Sequence, residues 1–203
     1  MSQYDYDADL SSTAAIGLGS NLASAAGRPE SALSGAISHL LAESVQFEAI
    51  SRYYRTPAWP PGSGPGFVNA AALVRFPAGP KALLERLHAV EATFGRTRDL
   101  RWGPRTLDLD LLFFGATVAP DAAAQAHWRD LPPDRQQREA PDRMILPHPR
   151  LQDRAFVLIP LAEIAPTWRH PLTGRSVAEM AAALPAADTV GIEPFPIRQG
   201  RES

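Results

Sequence analysis

The spacing of apolar positions changes along the chain, and each spacing predicts an element. Ala14 to Gly19 is a short apolar run that ends in Gly-Ser-Asn, a strand running into a turn. Pro29 opens a helical pattern with Leu33, Ile37, Leu40 and Leu41 on one side. Val45 to Tyr54 alternates as a strand. Residues 56–66, TPAWPPGSGPG, hold too much Pro and Gly for regular structure. Phe67 to Phe76 reads as another strand. Pro80 begins a second helix whose stripe is Leu83, Leu84, Leu87, Val90 and Phe94, and Gly95 is placed to stop it. Leu107 to Phe114 closes the series as a strand.

The order β-α-β-β-α-β predicts an α+β, ferredoxin-like βαββαβ sandwich. Its sheet is antiparallel, both helices lie on one face, and the other face is left for a site. C-terminal additions follow. Residues 116–142 lose periodicity and are rich in Ala, Pro, Gln and charge, so they read as an inserted excursion with room for a helical turn. Order returns over 143–170, and a short helix fits 175–184. The expected organisation is a disordered tail over 1–12, one domain over 13–185 with the 116–142 insertion, and a tail over 186–203.

Composition narrows the function. The 203 residues suit one domain with extensions, and a 45% hydrophobic content is enough for a sizeable core. The net charge of -2 argues against a general nucleic-acid or membrane-surface binder. The absence of cysteine removes disulfides, thiolate catalysis and Cys-ligated zinc. The acidic start MSQYDYDADLSS is unlike a signal peptide, and no run reaches the ~18 apolar residues of a membrane span. A cytoplasmic protein is the expectation.

The richest chemistry lies in Arg101-Trp102-Gly103-Pro104-Arg105-Thr106-Leu107-Asp108-Leu109-Asp110. Alternate side chains of a strand share a face, so Asp108 and Asp110 point the same way, with Cα atoms roughly 6–7 Å apart. Leu107, Leu109 and Leu111 point into the core. Such a carboxylate pair suits one or two Mg²⁺ ions that also bind phosphate oxygens and water. It also suits two solvated acids on an exposed face. Arg96, Arg98, Arg101 and Arg105 stand just upstream, and the planar arginine fork matches phosphate oxygens. A solvated loop or an RNA-binding patch is the other reading of those arginines.

Three more groups stand out. In Pro147 to Phe156, His148 can donate to a phosphate and Arg154 can clamp one, although a lone His is more often structural. Arg55-Thr56-Pro57 with Phe67-Val68-Asn69 offers a buried amide able to read a heterocycle edge. Phe67 and Phe156 can sandwich a flat ring, or can both be core residues. His88 and Glu91 share a helix face, either near a nucleotide or as a solvated edge. No Walker A sequence is present, which argues against a P-loop kinase. No RNP-type aromatic pattern supports an RNA-recognition domain.

Together these segments resemble the hydroxymethyl-dihydropterin pyrophosphokinase family, from about Ala14 to Leu184. The matching pieces are Gly17-Leu18-Gly19-Ser20-Asn21-Leu22, Tyr54-Arg55-Thr56-Pro57, Phe67-Val68-Asn69-Ala70-Ala71, Arg101 through Asp110, Pro147 to Phe156, and Pro160 to Pro166. The resemblance implies transfer of pyrophosphate from ATP to a hydroxymethyl-dihydropterin, with ATP as co-substrate, two Mg²⁺ ions, and AMP released. It implies that Asp108 and Asp110 hold the metal. It gives Arg96, Arg105, Asp108, Asp110 and Arg154 as the catalytic set, with Arg96 and Arg154 acting mainly at the transition state. It places His88, Glu91, Arg98, Trp102, Arg105, His148 and Arg154 around ATP. Thr56, Pro57, Phe67, Asn69, Trp102 and Phe156 fall around the pterin. The small-molecule substrates are the expected partners, with no nucleic acid and no membrane, and a monomer is expected. Departures from the family pattern are His88 where Gln is common, Trp59 in the pterin loop, and the long 116–142 excursion. Segments 56–66 and 95–104 are the natural lids.

Overall fold

The computed structural model describes residues 12–23, 27–58, 62, 64–95 and 105–195. Strand β1, Thr13–Ser20, lies at the heart of an antiparallel sheet. Helix α1, Pro29–Ala42, follows, and then the short strands β2, Gln46–Ile50, and β3, Tyr54–Thr56. Strand β4 spans Phe67–Arg75, helix α2 Gly79–Thr93 and strand β5 Asp108–Phe114. β1 pairs with β4 on one side and β5 on the other, while β4 also pairs with β2 and β3.

The stretch Val45 to Tyr54, expected as one strand, is divided. Ser51 causes the break. Its backbone N–H donates to the Ala71 carbonyl, and its hydroxyl accepts from the Ala71 N–H at 2.9 Å. A side chain has thus replaced a backbone group in the ladder.

Alternation along the strands builds two cores. Ala14, Ile16, Leu18, Val68, Ala70, Ala72, Leu109 and Leu111 point to α1 and α2, whose Leu33, Leu40, Leu83 and Leu87 complete that layer. Leu41, counted on the α1 stripe by spacing, is 53% exposed, and Ala32 and Ala36 are buried instead. The second sheet face is not left wholly open. Helices α5, Ala155–Ile164, and α6, Val177–Ala182, cover part of it with Leu158, Leu161, Val177 and Met180. Helix α6 is held at its start by a capping box between Ser176 and Glu179.

A bulge decides where that cover ends. The β1–β5 register shifts between Ala15 and Ile16, which face Phe113 and Leu111. Leu112 is the extra residue. Leu112 and Phe113 therefore both enter the second core, where Phe113 stacks on Trp168 with ring centroids 4.0 Å apart. Before the bulge, the same face carries Asp108 and Asp110.

Two further segments differ from expectation. The 116–142 excursion forms helices α3, Ala122–Arg129, and α4, Pro133–Arg138. Asp121 caps α3 by accepting from the Ala124 N–H at 2.8 Å. The stretch from 186, read as tail, begins with helix α7, Ala186–Thr189, and strand β6, Glu193–Pro194, which pairs with β3. Phe195 lies under the Arg55 guanidinium at 4.6 Å, which ties that end down. Among the described residues no helix is long and apolar enough to cross a membrane.

His170 is fully buried between these additions. Its Nδ1 accepts from the Leu172 N–H at 3.2 Å, so the neutral ring carries its proton on Nε2. Burial, helped by Arg129, pushes its pKa down from 6.5 to about 4. The unfolded chain takes up this proton at higher pH than the folded one. His170 therefore contributes stability above pH 6.5 that drains away as pH falls toward 4. Urea unfolding at pH 7 and pH 4.5 will show this loss, on the order of 2–3 kcal/mol. A His170→Phe variant will lose that part of the pH slope. An unchanged slope in the variant rules the account out.

Candidate active site

The uncovered part of the sheet face is built from cross-strand neighbours. Gly19 of β1 faces Asp108 on one side and Asn69 on the other, and Asn69 in turn faces Tyr54. Gly17 faces Asp110 and Ala71. Partners opposite each other in a sheet share a face, so the acids and the amide flank a floor of glycines. That floor is tight: a Cβ at Gly17 would sit 3.5 Å from Leu112 Cδ2, and one at Gly19 would sit 2.7 Å from Asn69 Oδ1.

Asn69 is buried and oriented. Its Nδ2 donates to the Thr56 hydroxyl at 2.8 Å across the β3–β4 pair. Phe67 and Phe156 line the same cavity beside them. At the other side, Asp108 is ion-paired with the Arg105 guanidinium. Leu109, the residue between the acids, is pinned from below, where its N–H donates to Glu91 Oε1 at 2.7 Å. Glu91 is buried under β5 and outside the cavity lining. His88 is exposed on α2 and also outside the lining.

His148 and Arg154 enter from the segment before α5. The His148 N–H donates to the Leu112 carbonyl at 2.7 Å, which seats the segment against β5 just past the acids. His148 Nδ1 accepts from the Arg150 N–H at 3.1 Å, which leaves the proton of the neutral ring on Nε2. Burial and the cations Arg154 and Arg150 push its pKa down to about 3, against the pull of Asp108. At neutral pH the ring is an uncharged donor. Burial also lowers the pKa of the Arg154 guanidinium, while Asp110, Asp153 and Asp108 pull it back up. Arg154 stays a cation, and its lost hydration favours an arriving anion.

A cavity of about 390 Å³ joins these groups, lined by Thr56, Pro57, Phe67, Asn69, Arg105, Asp108, Asp110, His148, Arg154 and Phe156. Arg96, Arg98, Arg101, Trp102 and Trp59 lie outside the described residues, as does most of the segment 95–104 that was expected to act as a lid. Sequence reasoning missed the apolar part of the cavity lining, which includes Leu84, Leu111, Trp128, Leu131, Met144 and Ile145. A tryptophan within a polar, unpatterned stretch was the available signal for it. It also missed Glu163 on α5, whose Oε1 accepts from the Tyr54 hydroxyl at 2.5 Å and from Arg52 Nε at 2.7 Å. That acid ties α5 to β3.

The donor set suits a hard cation. Asp108 and Asp110 supply oxygen only, and two carboxylates leave most of a Mg²⁺ shell to phosphate oxygens and water. Among the described residues no three metal-binding side chains gather. A carboxylate pair, arginine cations and phenylalanine rings lining one cavity are the equipment for handling a phosphorylated ligand beside a flat heterocycle.

Comparison with known proteins agrees. The family model of 7,8-dihydro-6-hydroxymethylpterin-pyrophosphokinase matches residues 15–166. The chain is 39% identical over 168 residues to a 2-amino-4-hydroxy-6-hydroxymethyldihydropteridine pyrophosphokinase of Synechocystis, covering 82% of this chain and 73% of that protein. It is 40% identical over 181 residues to the protein of the same name from Pseudomonas aeruginosa, covering 89% and 95%. The chain belongs to the 7,8-dihydro-6-hydroxymethylpterin-pyrophosphokinase family. Among solved structures, a Plasmodium falciparum HPPK-DHPS chain shares the fold with TM-score 0.62 at 11% identity, covering 92% of this chain. This chain spans just under half of that one, 47%.

Proposed function

We propose that this protein transfers the pyrophosphoryl group of ATP to the hydroxymethyl oxygen of 6-hydroxymethyl-7,8-dihydropterin in folate biosynthesis. The hydroxymethyl oxygen forms a bond to the β-phosphorus, the bridge to the α-phosphorus breaks, and AMP leaves while the hydroxyl proton is lost. The observation that carries the reading is that Asp108 and Asp110 stand across a glycine floor from the Thr56–Asn69 amide pair. One side of the floor suits metal-bound phosphates and the other a pterin edge. We also infer the ferredoxin-like class for the fold, supported by the sheet order β5-β1-β4-β3 with antiparallel neighbours.

In this reading Asp108 and Asp110 hold two Mg²⁺ ions, which supply charge neutralisation along the triphosphate. Arg105, His148 Nε2–H and Arg154 face the phosphates, with Arg96 and Arg98 added from the neighbouring segment. Phe67 and Phe156 stack on the pterin, Asn69 and Thr56 read its edge, and Pro57 lines it, with Trp102 expected between the pterin and ATP. Positioning and charge do most of such a reaction. A different phosphoryl or nucleotidyl transfer accounts for the acids and cations but leaves the Thr56–Asn69 pair without a purpose. The test is AMP formation by purified protein given ATP, MgCl₂ and the hydroxymethyl-dihydropterin. Pterin-dependent AMP that disappears on chelation supports the reading. ATP consumption that ignores the pterin overturns it.

The floor yields its own prediction. Gly19→Ala pushes the Asn69 amide aside and breaks its bond to Thr56. The KM for pterin will rise about tenfold, the weight of one misplaced buried hydrogen bond, while the KM for ATP stays put. Equal changes in both constants would show general damage instead.

A further inference from the structure

In the proposed reaction the Thr56–Asn69 part of the cavity takes the pterin and the charged groups take the phosphates. The same cavity is also lined by the apolar side chains of Leu84, Leu111, Trp128 and Leu131. Trp128 and Leu131 belong to the α3–α4 excursion. Leu131 is 5% exposed, and Trp128 is half-buried against the space.

The excursion is fastened to the phosphate-facing segment. Gln125 of α3 is fully buried, and its Nε2 donates to the Pro147 carbonyl at 3.2 Å. Arg150 is buried as well. Its guanidinium donates to the carbonyls of Trp128 and, at 3.0 Å, Arg129, the last residues of α3. A cation there satisfies helix-end carbonyls and suits the dipole. The same guanidinium reaches Asp153 at 3.2 Å, next to Arg154, while the Arg150 N–H holds His148. Arg150 therefore links the end of α3 to His148 and to Asp153, the residue before Arg154.

We propose that the α3–α4 excursion is the nucleobase wall of this site. Trp128 and Leu131 close on the purine of ATP opposite Leu84 and Leu111, and Arg150 sets that wall at a fixed distance from His148 and Arg154. This rests on the ATP reading of the cavity. An aromatic face and apolar walls hold a flat base, while the charged centre holds the phosphates.

The test measures binding without turnover. Calorimetry with Mg²⁺ and an ATP analogue carrying a methylene bridge between the α and β phosphates compares wild type, Trp128→Ala and Trp128→Phe. Inorganic triphosphate, which has no base, is the parallel probe. Trp128→Ala will weaken the analogue about tenfold and leave triphosphate unchanged, and Trp128→Phe will recover most of the loss. In turnover, the KM for ATP will rise by the same factor while the KM for pterin holds. Equal loss for analogue and triphosphate, or loss for neither, overturns the proposal. A wild-type protein that binds the analogue in this Trp128-dependent way but forms no AMP with the pterin sinks the proposed reaction and spares the wall.

Discussion

Asp110→Ala will lower pterin-dependent AMP formation at least about 10³-fold, which corresponds to about 4 kcal/mol of lost transition-state stabilisation. The reason is geometric. Asp110 faces Gly17 across β1, so the neighbouring strand supplies no side chain that could stand in for it. The fold should tolerate the change, because Asp110 lies on the uncovered face and outside both cores. Its melting temperature will stay close to that of wild type. Asp108→Ala will be as inactive and somewhat less stable, since it also releases Arg105. The double variant will be no worse than either single one, because two carboxylates that serve the proposed metal site together act as a unit. Residual turnover of a tenth of wild type in either single variant would remove the carboxylate pair from the mechanism.

Arg154→Ala will lower kcat about 10²–10³-fold while the KM for ATP changes little. A ground-state salt bridge would show the opposite pattern. Arg154 is a cation whose burial works against its charge, with Asp110, Asp153 and Asp108 only partly restoring it. Its guanidinium also lies 5.6 Å from the ring of Phe156, the residue proposed to stack on the pterin. A group so placed gains most when charge builds on the transferred phosphates. Arg154→Lys will recover part of the rate but not all, because a point charge cannot replace a planar fork. Steady-state kinetics of the three proteins with ATP varied at saturating pterin check this. A raised KM with unchanged kcat would make Arg154 a binding residue only.

The parts of the molecule that sequence revealed are those set by local spacing. Asp108 and Asp110 could be placed on one face because a strand has a period of two, and the hydrophobic residues between them confirmed the face. The α2 stripe was readable for the same reason, with Leu83, Leu87 and Val90 all buried. What stayed hidden depends on partners far along the chain. Ser51 breaks the second strand only because Ala71 lies opposite. The β6 segment forms only against β3, so Glu193 and Pro194 carry no signal by themselves. Glu91 looked like a solvent-edge residue on helix spacing, but β5 covers it. The α3 helix was partly visible, since Asp121 before Ala-Ala-Ala is a cap followed by strong helix formers. The surrounding prolines and charges masked it.

The bulge at Leu112 divides the labour of one strand. Upstream of it β5 spends its outward positions on chemistry, and downstream on cohesion with α5 and α6. Thermal robustness and turnover are therefore separable traits in this protein. Selection or engineering can harden the Phe113–Trp168 half without moving a reacting group. The converse also holds: the acidic half can drift toward another substrate while the scaffold stays intact. A one-residue slip of the upstream half would abolish that independence, because it would turn Asp108 and Asp110 toward the α1–α2 core and Leu109 out to the opposite face.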